Sequence, residues 1–279
     1  MTVTLDGQGL TVADVVAVAR HGEPVALAPE TVQRMAESRE RVERVLARED
    51  AVYGMTTGLG AHKRHRIATD AVELFNRQLI DNHRVGHGSP APADVVRATM
   101  LRLANGFAQG STGVRPLLAE RVVRALNAGE RPQVRVLGSC GEADLAPLAD
   151  LAHGLFGDVA LQAKEGLALV NNNSFSTAFA ALALHDARNL LDSITLAGAM
   201  DLEAFRANLS ILHPAVGELR PYPGLQAELA GLRAALSGSG LLKRGGGPQP
   251  PGSAELPLDR ADRRSGSGRA GLRAGSAGD

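Results

Sequence analysis

The sequence is poor in cysteine and in aromatic residues. Its 279 residues include one cysteine and no tryptophan, and aromatic residues make up 3% of the chain. A single cysteine excludes an internal disulfide and favours a reducing compartment, so we expect a cytoplasmic protein. With so few aromatic side chains, the core must be built from Ala, Leu and Val, a composition that suggests many closely packed helices.

Net charge and long apolar runs are also missing. The 30 Lys and Arg residues balance the 30 Asp and Glu residues, so no long-range field favours nucleic acid or an anionic membrane. The longest apolar run, near residues 176–187, is too short and too interrupted to span a bilayer. The first ten residues lack the basic and apolar regions of a signal peptide. These absences predict a soluble intracellular protein without a nucleic-acid or membrane partner.

Helical periodicity dominates what is present. Residues 29–50 carry an apolar stripe among charged residues, and residues 89–110 repeat the pattern between prolines and a final glycine. Residues 176–209 are rich in Ala and Leu and lack proline, which predicts a buried bundle helix, or two in series. Strand signals are short, at 2–7 and 132–138. We therefore expect a mainly α fold, a bundle of long helices with a small N-terminal region that contains short strands.

The composition changes at residue 237. Residues 237–279 are rich in Gly, Pro, Ser and Arg and contain few large apolar residues, so they cannot bury enough surface to offset the entropy of ordering. A flexible tail fits this composition, and so does a GC-rich gene translated out of frame. We predict one domain over residues 1–236 and a low-complexity, disordered tail over residues 237–279.

Three loops could carry chemistry. In residues 51–60, "AVYGMTTGLG", glycines allow a sharp turn that presents the Tyr53 hydroxyl, either as part of a structural turn or as a proton acceptor. His83 and His87 lie four residues apart and could share a metal if they were helical. The neighbouring glycines indicate that the helix is ending, which favours a histidine that lines a pocket over a metal site.

The third loop contains three consecutive asparagines, residues 171–173, between an apolar run and the long helix. Asparagine commonly caps helices, so a helix cap is the simplest interpretation. Three amides are more than one cap requires, and an orienting or oxyanion-binding role for one of them is the alternative.

Taken together and in order, these segments resemble the N-terminal half of the histidine and aromatic amino acid ammonia-lyases and their aminomutase relatives. The similar segments are "VYGMTTGLG", "NHRVGHG", "GSTGVRPLLAERVVRALNAGERPQV", "DLAPLADLAHGL", "KEGLALVNN" and "RPYPGLQAELAGLRAAL". The resemblance implies a bundle of long helices, a homotetramer, and elimination of ammonia from a small amino acid or migration of its amine. It also implies an electrophile, methylidene-imidazolone, that forms autocatalytically from Ala-Ser-Gly without an external cofactor.

The resemblance assigns roles to individual positions. Tyr53 corresponds to the tyrosine that acts as a base on the substrate, and Gly60 in the same loop falls among the substrate-binding residues. His83 corresponds to a histidine near the substrate in histidine-specific members. Asn171 corresponds to the asparagine that steadies the electrophile.

The electrophile motif itself departs from the family. In "GSCGEADLAPL", residues 138–148, Gly138, Ser139 and Gly141 match, and the match resumes at Asp144. Between them Glu142 and Ala143 stand where the family has Ala-Ser-Gly. Alanine cannot lose water, so we expect that the electrophile does not form. One alternative is that Ser139, Cys140 and Gly141 cyclise, with the cysteine eliminating hydrogen sulfide.

The resemblance also implies about twice this length, with further site residues in a C-terminal half. An impaired or inactive ammonia-lyase is therefore the first hypothesis. A non-catalytic homologue that binds an amino-acid-like ligand or a full-length paralogue is the second, and a truncated or frameshifted product is the third.

Overall fold

The computed structural model describes residues 2–48, 50–139 and 141–243, and it describes the backbone alone at residues 242 and 243. Within these residues the fold is mainly helical, with α1 (Val12–His21), α2 (Pro29–Ala47), α3 (Val72–His83), α4 (Ala93–Ala108), α5 (Pro116–Ala128), α6 (Leu145–Phe156), α7 (Glu165–Val170), α8 (Ser174–Ala204), α9 (Pro214–Leu219), α10 (Pro223–Ala235) and α11 (Gly240–Lys243). Short 3-10 helices cover Gly60–His62, Thr69–Ala71 and Leu209–Leu212. The strands are β1 (Val3–Leu5), β2 (Val25–Leu27), β3 (His87–Pro90) and β4 (Arg135–Leu137).

The chain divides into two compact units, Met1–Asn189 and Leu190–Asp279. The first unit holds the residues predicted to form the site. The predicted tail over residues 237–279 lies outside the described residues from residue 244 onward.

Helix α4 lies at the centre of the first unit. It packs against α1, α2 and α5, and its predicted apolar positions Val96, Met100, Leu103 and Phe107 are all buried. Helices α3, α6 and α7 pack against one another beside this core. The core is filled mainly by Leu, Val and Ala, as the shortage of aromatic residues predicts.

Local sequence signals explain where several helices begin and end. Thr11 and Asp14 form a capping box at the start of α1, in which each side chain accepts a hydrogen bond from the backbone N–H of the other. Helix α1 ends at Gly22 and α5 at Gly129, both with left-handed backbone. Proline occupies the first turn of α2 and α5, where a missing N–H costs nothing.

The short strands form two separate pairs. Strands β1 and β2 are parallel, in the register Val3↔Val25. Strands β3 and β4 are antiparallel, in the register His87↔Leu137. The second pair positions the loop at 138–144, because that loop leaves β4 and enters α6 directly.

Helix α8 corrects one prediction. It is a single helix over Ser174–Ala204, but Ala199 is its one buried residue between positions 183 and 204. Its Ala- and Leu-rich composition suggested burial on all sides, and within the described residues no element covers most of its second half. None of the described helices combines the length and the apolar character needed to cross a membrane.

The second unit has its own small apolar core. Buried leucines of the 3-10 helix Leu209–Leu212, of α10 and of α11 pack with Ala199. Arg233 supports this packing, since its guanidinium donates a hydrogen bond to the carbonyl oxygen of Leu212 at 2.8 Å.

Candidate active site

A cavity of about 700 Å³ lies in the first unit. Its volume falls within the range of small-molecule binding pockets. Six of the residues singled out from the sequence line it: Tyr53, Gly60, His83, Glu142, Ala143 and Asn171. The rest of the lining is mainly apolar, with a group of basic side chains. The fold therefore brings three distant loops of the sequence to one pocket.

The Tyr53 loop is a tight structure held by its own backbone. The Tyr53 hydroxyl accepts a hydrogen bond from the backbone N–H of Gly60 at 3.1 Å, while about half of the side chain, 54%, is exposed. Gly54 has a φ of +67°, and a Cβ at this position would lie 2.4 Å from Cδ2 of Leu167. Glycine is therefore required here both for backbone conformation and for close packing against α7.

The loop at residues 138–144 contributes Glu142 and Ala143 to the cavity lining. Ala143 is buried, with 2% of its surface exposed, whereas Glu142 is exposed. Ser139 and Gly141 are exposed and do not line the cavity. Cys140 lies outside the described residues.

Asp144 anchors this loop. It is 1% exposed, and its carboxylate accepts hydrogen bonds from the Ser139 hydroxyl at 3.1 Å and from the backbone N–H and hydroxyl of Ser176 at 2.8 and 2.9 Å. Its backbone N–H donates to the carbonyl oxygen of Asn172 at 3.0 Å. Because Ser176 lies in the first turn of α8, the carboxylate also satisfies a helix N-terminus, where negative charge is favoured.

His83 is the last residue of α3, and His87 is the first residue of β3. The two histidines therefore do not share a helix face, as the neighbouring glycines indicated. The Nδ1 of His83 lies 2.7 Å from the carbonyl oxygen of Leu79. A carbonyl oxygen can only accept, so Nδ1 carries the hydrogen of this bond and Nε2 is left for other contacts. In the described part of the chain, no three His, Cys, Asp or Glu side chains are placed to hold a metal ion.

Two of the three consecutive asparagines have different surroundings. Asn172 acts as a cap: its amide donates to the carbonyl oxygens of Ala168 and Leu169, and its side-chain oxygen accepts from the N–H of Ser174. Asn171 is exposed and lines the cavity. The interpretation as a cap holds for Asn172, and Asn171 is the one available to a ligand.

An ion pair between a partly exposed arginine and a buried glutamate lies next to the cavity lining. Glu165, at the start of α7, is fully buried and accepts hydrogen bonds from Nε and Nη2 of Arg115 at 2.8 and 2.7 Å. This bidentate contact raises the pKa of the Arg115 guanidinium. The pair ties the start of α5 to α7, whose Leu167 and Val170 line the cavity.

Three basic residues of the cavity lining were not predicted from the sequence. His62, His65 and Arg66 belong to a run of five consecutive basic residues, 62–66, directly after the Tyr53 loop. Five basic residues in a row in a chain of zero net charge were the signal that could have found them.

Comparison with known proteins agrees with this architecture. The family model described as aromatic amino acid lyase matches residues 10–160 and 157–260. The matched range thus extends past residue 236, the last residue of the predicted domain. The chain is 39% identical to histidine ammonia-lyase from Gloeobacter violaceus, over 86% of this chain and 51% of that protein. It is 35% identical to histidine ammonia-lyase from Alkaliphilus metalliredigens, over 88% of this chain and 53% of that protein.

Two solved structures show the same fold. Histidine ammonia-lyase from Trypanosoma cruzi superposes with a TM-score of 0.77 at 30% identity, over 84% of this chain and 50% of that one. Tyrosine aminomutase from Streptomyces globisporus superposes with a TM-score of 0.81 at 27% identity, over 98% of this chain and 55% of that one.

The predicted fold class is confirmed by these structures. The chain spans about half the length of the curated relatives it matches. The roles assigned to Tyr53, Gly60, His83 and Asn171, and to residues 139–144, stay predictions. The sequence matches and the shared fold lead to one conclusion: the chain belongs to the aromatic amino acid lyase family.

Proposed function

We propose that the chain binds an amino-acid-like ligand in the 700 Å³ cavity and does not carry out the elimination of ammonia that its histidine ammonia-lyase relatives are named for. The observation that carries this proposal is the identity of the two residues before Asp144, which stand where the resemblance expects Ala-Ser-Gly. These residues are Glu142 and Ala143, and neither has a hydroxyl or thiol group to lose. The chain thus has the pocket, whereas the electrophile is not expected to form in it.

The residues present do not fit the family's electrophile. Asp144 holds the loop in position, because its carboxylate accepts hydrogen bonds from Ser139 and from Ser176 of α8. Glu142 and Ala143, which precede it, offer neither a hydroxyl nor a thiol to eliminate. Among the described residues of the loop, Ser139 supplies the one hydroxyl, and it is bonded to the Asp144 carboxylate. Cys140 is the remaining group that could lose a leaving group.

Intact-mass spectrometry of the purified chain tests the loss of the electrophile. We expect the mass calculated from the sequence. Formation of the family's electrophile removes two waters, and the route through Cys140 removes one water and one hydrogen sulfide. Either deficit, with new near-ultraviolet absorbance, would overturn the proposal. Cys140→Ala is the matched variant, because it abolishes a deficit that arises at Cys140 and leaves any other unchanged.

A competing hypothesis is an active ammonia-lyase acting on an amino acid. Tyr53, His83 and Asn171 around one cavity support it, because those are the positions to which the resemblance assigns a base and binding groups. Production of an α,β-unsaturated acid from L-histidine, L-phenylalanine or L-tyrosine, measured by its ultraviolet absorbance, would favour the lyase. No turnover together with measurable binding of one of these amino acids would favour the binding protein.

We also infer that the chain associates with a second copy of itself. Within the second unit, α8 exposes Leu190, Leu191, Ile194, Leu196 and Met200, each with more than half of its surface accessible. No element within the described residues covers this apolar surface. A second copy is the partner that is always available, and pairing of the two surfaces removes them from water.

A further inference from the structure

The basic run at residues 62–66 is divided by the fold into two groups. His62, His65 and Arg66 line the cavity. Lys63 and Arg64 are exposed and are not part of the lining. A run of like charges is usually a solvated surface, but here three of its five members contribute to the pocket wall.

The segment is held in place by backbone hydrogen bonds. The N–H of His65 donates to the carbonyl oxygen of His62 at 2.9 Å, which forms a tight turn with the two histidines at positions i and i+3. The N–H of Gly58 donates to the carbonyl oxygen of His65, and that of Ile67 to Thr56, both at 2.9 Å. The two imidazole rings consequently lie with their centroids 5.5 Å apart.

Charge is distributed unequally over the cavity. Among the described residues of its lining, Glu142 has the one carboxylate, and it lies in the loop before α6. The basic groups of the 62–66 segment lie in a different loop, after Tyr53. A free amino acid carries one anionic and one cationic group, so the lining has a matching group for each.

We infer that His62, His65 and Arg66 bind the carboxylate of the ligand and that Glu142 binds its ammonium group. Imidazole and guanidinium N–H groups are suitable donors for a carboxylate, and a glutamate is a suitable acceptor for an ammonium. The inference rests on the proposed function, since it names the groups that recognise the amino acid in the same cavity. It places recognition of the carboxylate in residues that the family resemblance did not mark.

The test compares three amino acids with their decarboxylated counterparts by isothermal titration calorimetry. The pairs are L-histidine and histamine, L-phenylalanine and phenethylamine, and L-tyrosine and tyramine. We expect at least one amino acid to bind, and its amine to bind about tenfold more weakly or worse, because charged hydrogen bonds to the carboxylate are lost. The double variant His62→Ala/His65→Ala, and separately Arg66→Gln, should lower the affinity for the amino acid and leave that for the amine unchanged.

Lys63→Gln/Arg64→Gln is the matched control, because it removes two cations from the same segment outside the cavity. It should preserve the preference for the amino acid over the amine. Glu142→Gln should weaken binding of the amino acid and of its amine together, while leaving binding of the matching acid without an amine, such as imidazolepropionate, unchanged. Circular dichroism and thermal melting show whether each variant is folded.

The outcomes separate the two proposals. If an amino acid and its amine bind the unaltered chain equally well, or if the control variant loses the preference as the His62/His65 variant does, the inference is wrong and the binding function stands. If none of the three amino acids binds, the proposed function and the inference both fall.

Discussion

Asp144 connects the loop at residues 138–144 to the first turn of α8. Its carboxylate is buried and accepts three hydrogen bonds from Ser139 and Ser176. The sequence marked this residue as the point where the family match resumes, but it did not reveal the contact with α8. At the residue scale, this one side chain holds the loop in position against α8.

Asp144→Asn is expected to lower the free energy of unfolding by about 2–3 kcal/mol, because one amide oxygen cannot replace two carboxylate oxygens for three donors. Urea unfolding followed by circular dichroism measures the change. Ser139→Ala is the control, because it removes one of these donors and should cost about 1 kcal/mol or less. Equal losses for the two variants would contradict the anchoring role.

Gly54→Ala and Gly60→Ala form a second matched pair. Both glycines have positive φ, +67° and +52°, but a Cβ at Gly54 would meet Leu167 at 2.4 Å, whereas one at Gly60 would meet nothing within 4 Å. Each substitution carries a backbone cost of about 1–2 kcal/mol. We expect Gly54→Ala to destabilise by about 1 kcal/mol more, from overpacking. Thermal melting of the two variants measures the difference. Identical melting temperatures would show that α7 shifts to make room for the added methyl group without a cost in stability.

At the scale of elements, the start of α7 combines a stabilising and a destabilising feature. Glu165 is fully buried and paired with Arg115. The preceding Lys164 has a left-handed backbone with a φ of 76°. Burial, with the charge of Arg39 as a second cause, lowers the pKa of the Lys164 ammonium. This residue is therefore strained in its backbone and unfavourable in its charge, directly before the helix that supplies Leu167 and Val170 to the cavity.

Lys164→Gly should stabilise the chain by about 1 kcal/mol, since glycine adopts positive φ without strain. The melting temperature should rise by about 2–4 °C for a chain of this size. Lys164→Met keeps the strained backbone and removes the charge. Comparing it with Lys164→Gly therefore separates the effect of the backbone strain from that of the buried charge. A lower melting temperature for the glycine variant would mean that the lysine stem contributes more than its backbone costs.

The charge contribution of Lys164 depends on pH. The pKa of Lys164 in the folded chain is lowered, so at a pH below that folded pKa the ammonium is charged in both states and its burial penalty is fully present. As the pH rises through the folded pKa toward the ordinary value of 10.5, the folded chain loses the proton first and the penalty disappears. Urea unfolding should therefore show the advantage of Lys164→Met at neutral pH and a smaller advantage near pH 10. An advantage that grows with pH would contradict the direction of the shift.

At the scale of the whole molecule, α8 combines an apolar composition with exposure to solvent. The chain spans about half of its curated relatives, and the second half of α8 is almost entirely exposed. Its apolar residues therefore face water in a single copy of the chain. The inferred self-association follows from this uncovered surface and not from the cavity.

Leu190→Glu/Ile194→Glu should shift the chain toward the monomer in sedimentation velocity. These residues lie one turn apart on α8 and are 60% and 57% exposed, so charges there oppose burial against a second copy. Leu74→Glu/Val85→Glu introduces the same two charges at exposed positions of the first unit, 57% and 68% exposed, and it should leave the association unchanged. A chain that is monomeric before any substitution would contradict the inference.

Much of the fold could be predicted because its signals are local. The periodicity at 29–50 and 89–110, the prolines before α4 and the short strand at 132–138 each describe one element, and the structure places α2, α4 and β4 there. The exposure of α8 could not be predicted, since a stretch rich in Ala and Leu indicates an apolar helix but not whether a partner covers it.

The candidate site shows the same division. The sequence by itself determined the family and the positions of α2 and α4, and it predicts that Glu142 and Ala143 stand where the family has Ala-Ser-Gly. Only the tertiary structure decided that Tyr53, His83 and Asn171 line one cavity with the basic residues of the 62–66 segment, and that Asp144 joins its loop to α8. The physical reason is that side-chain periodicity encodes which face of an element is apolar, whereas pockets and buried hydrogen bonds arise where distant elements pack.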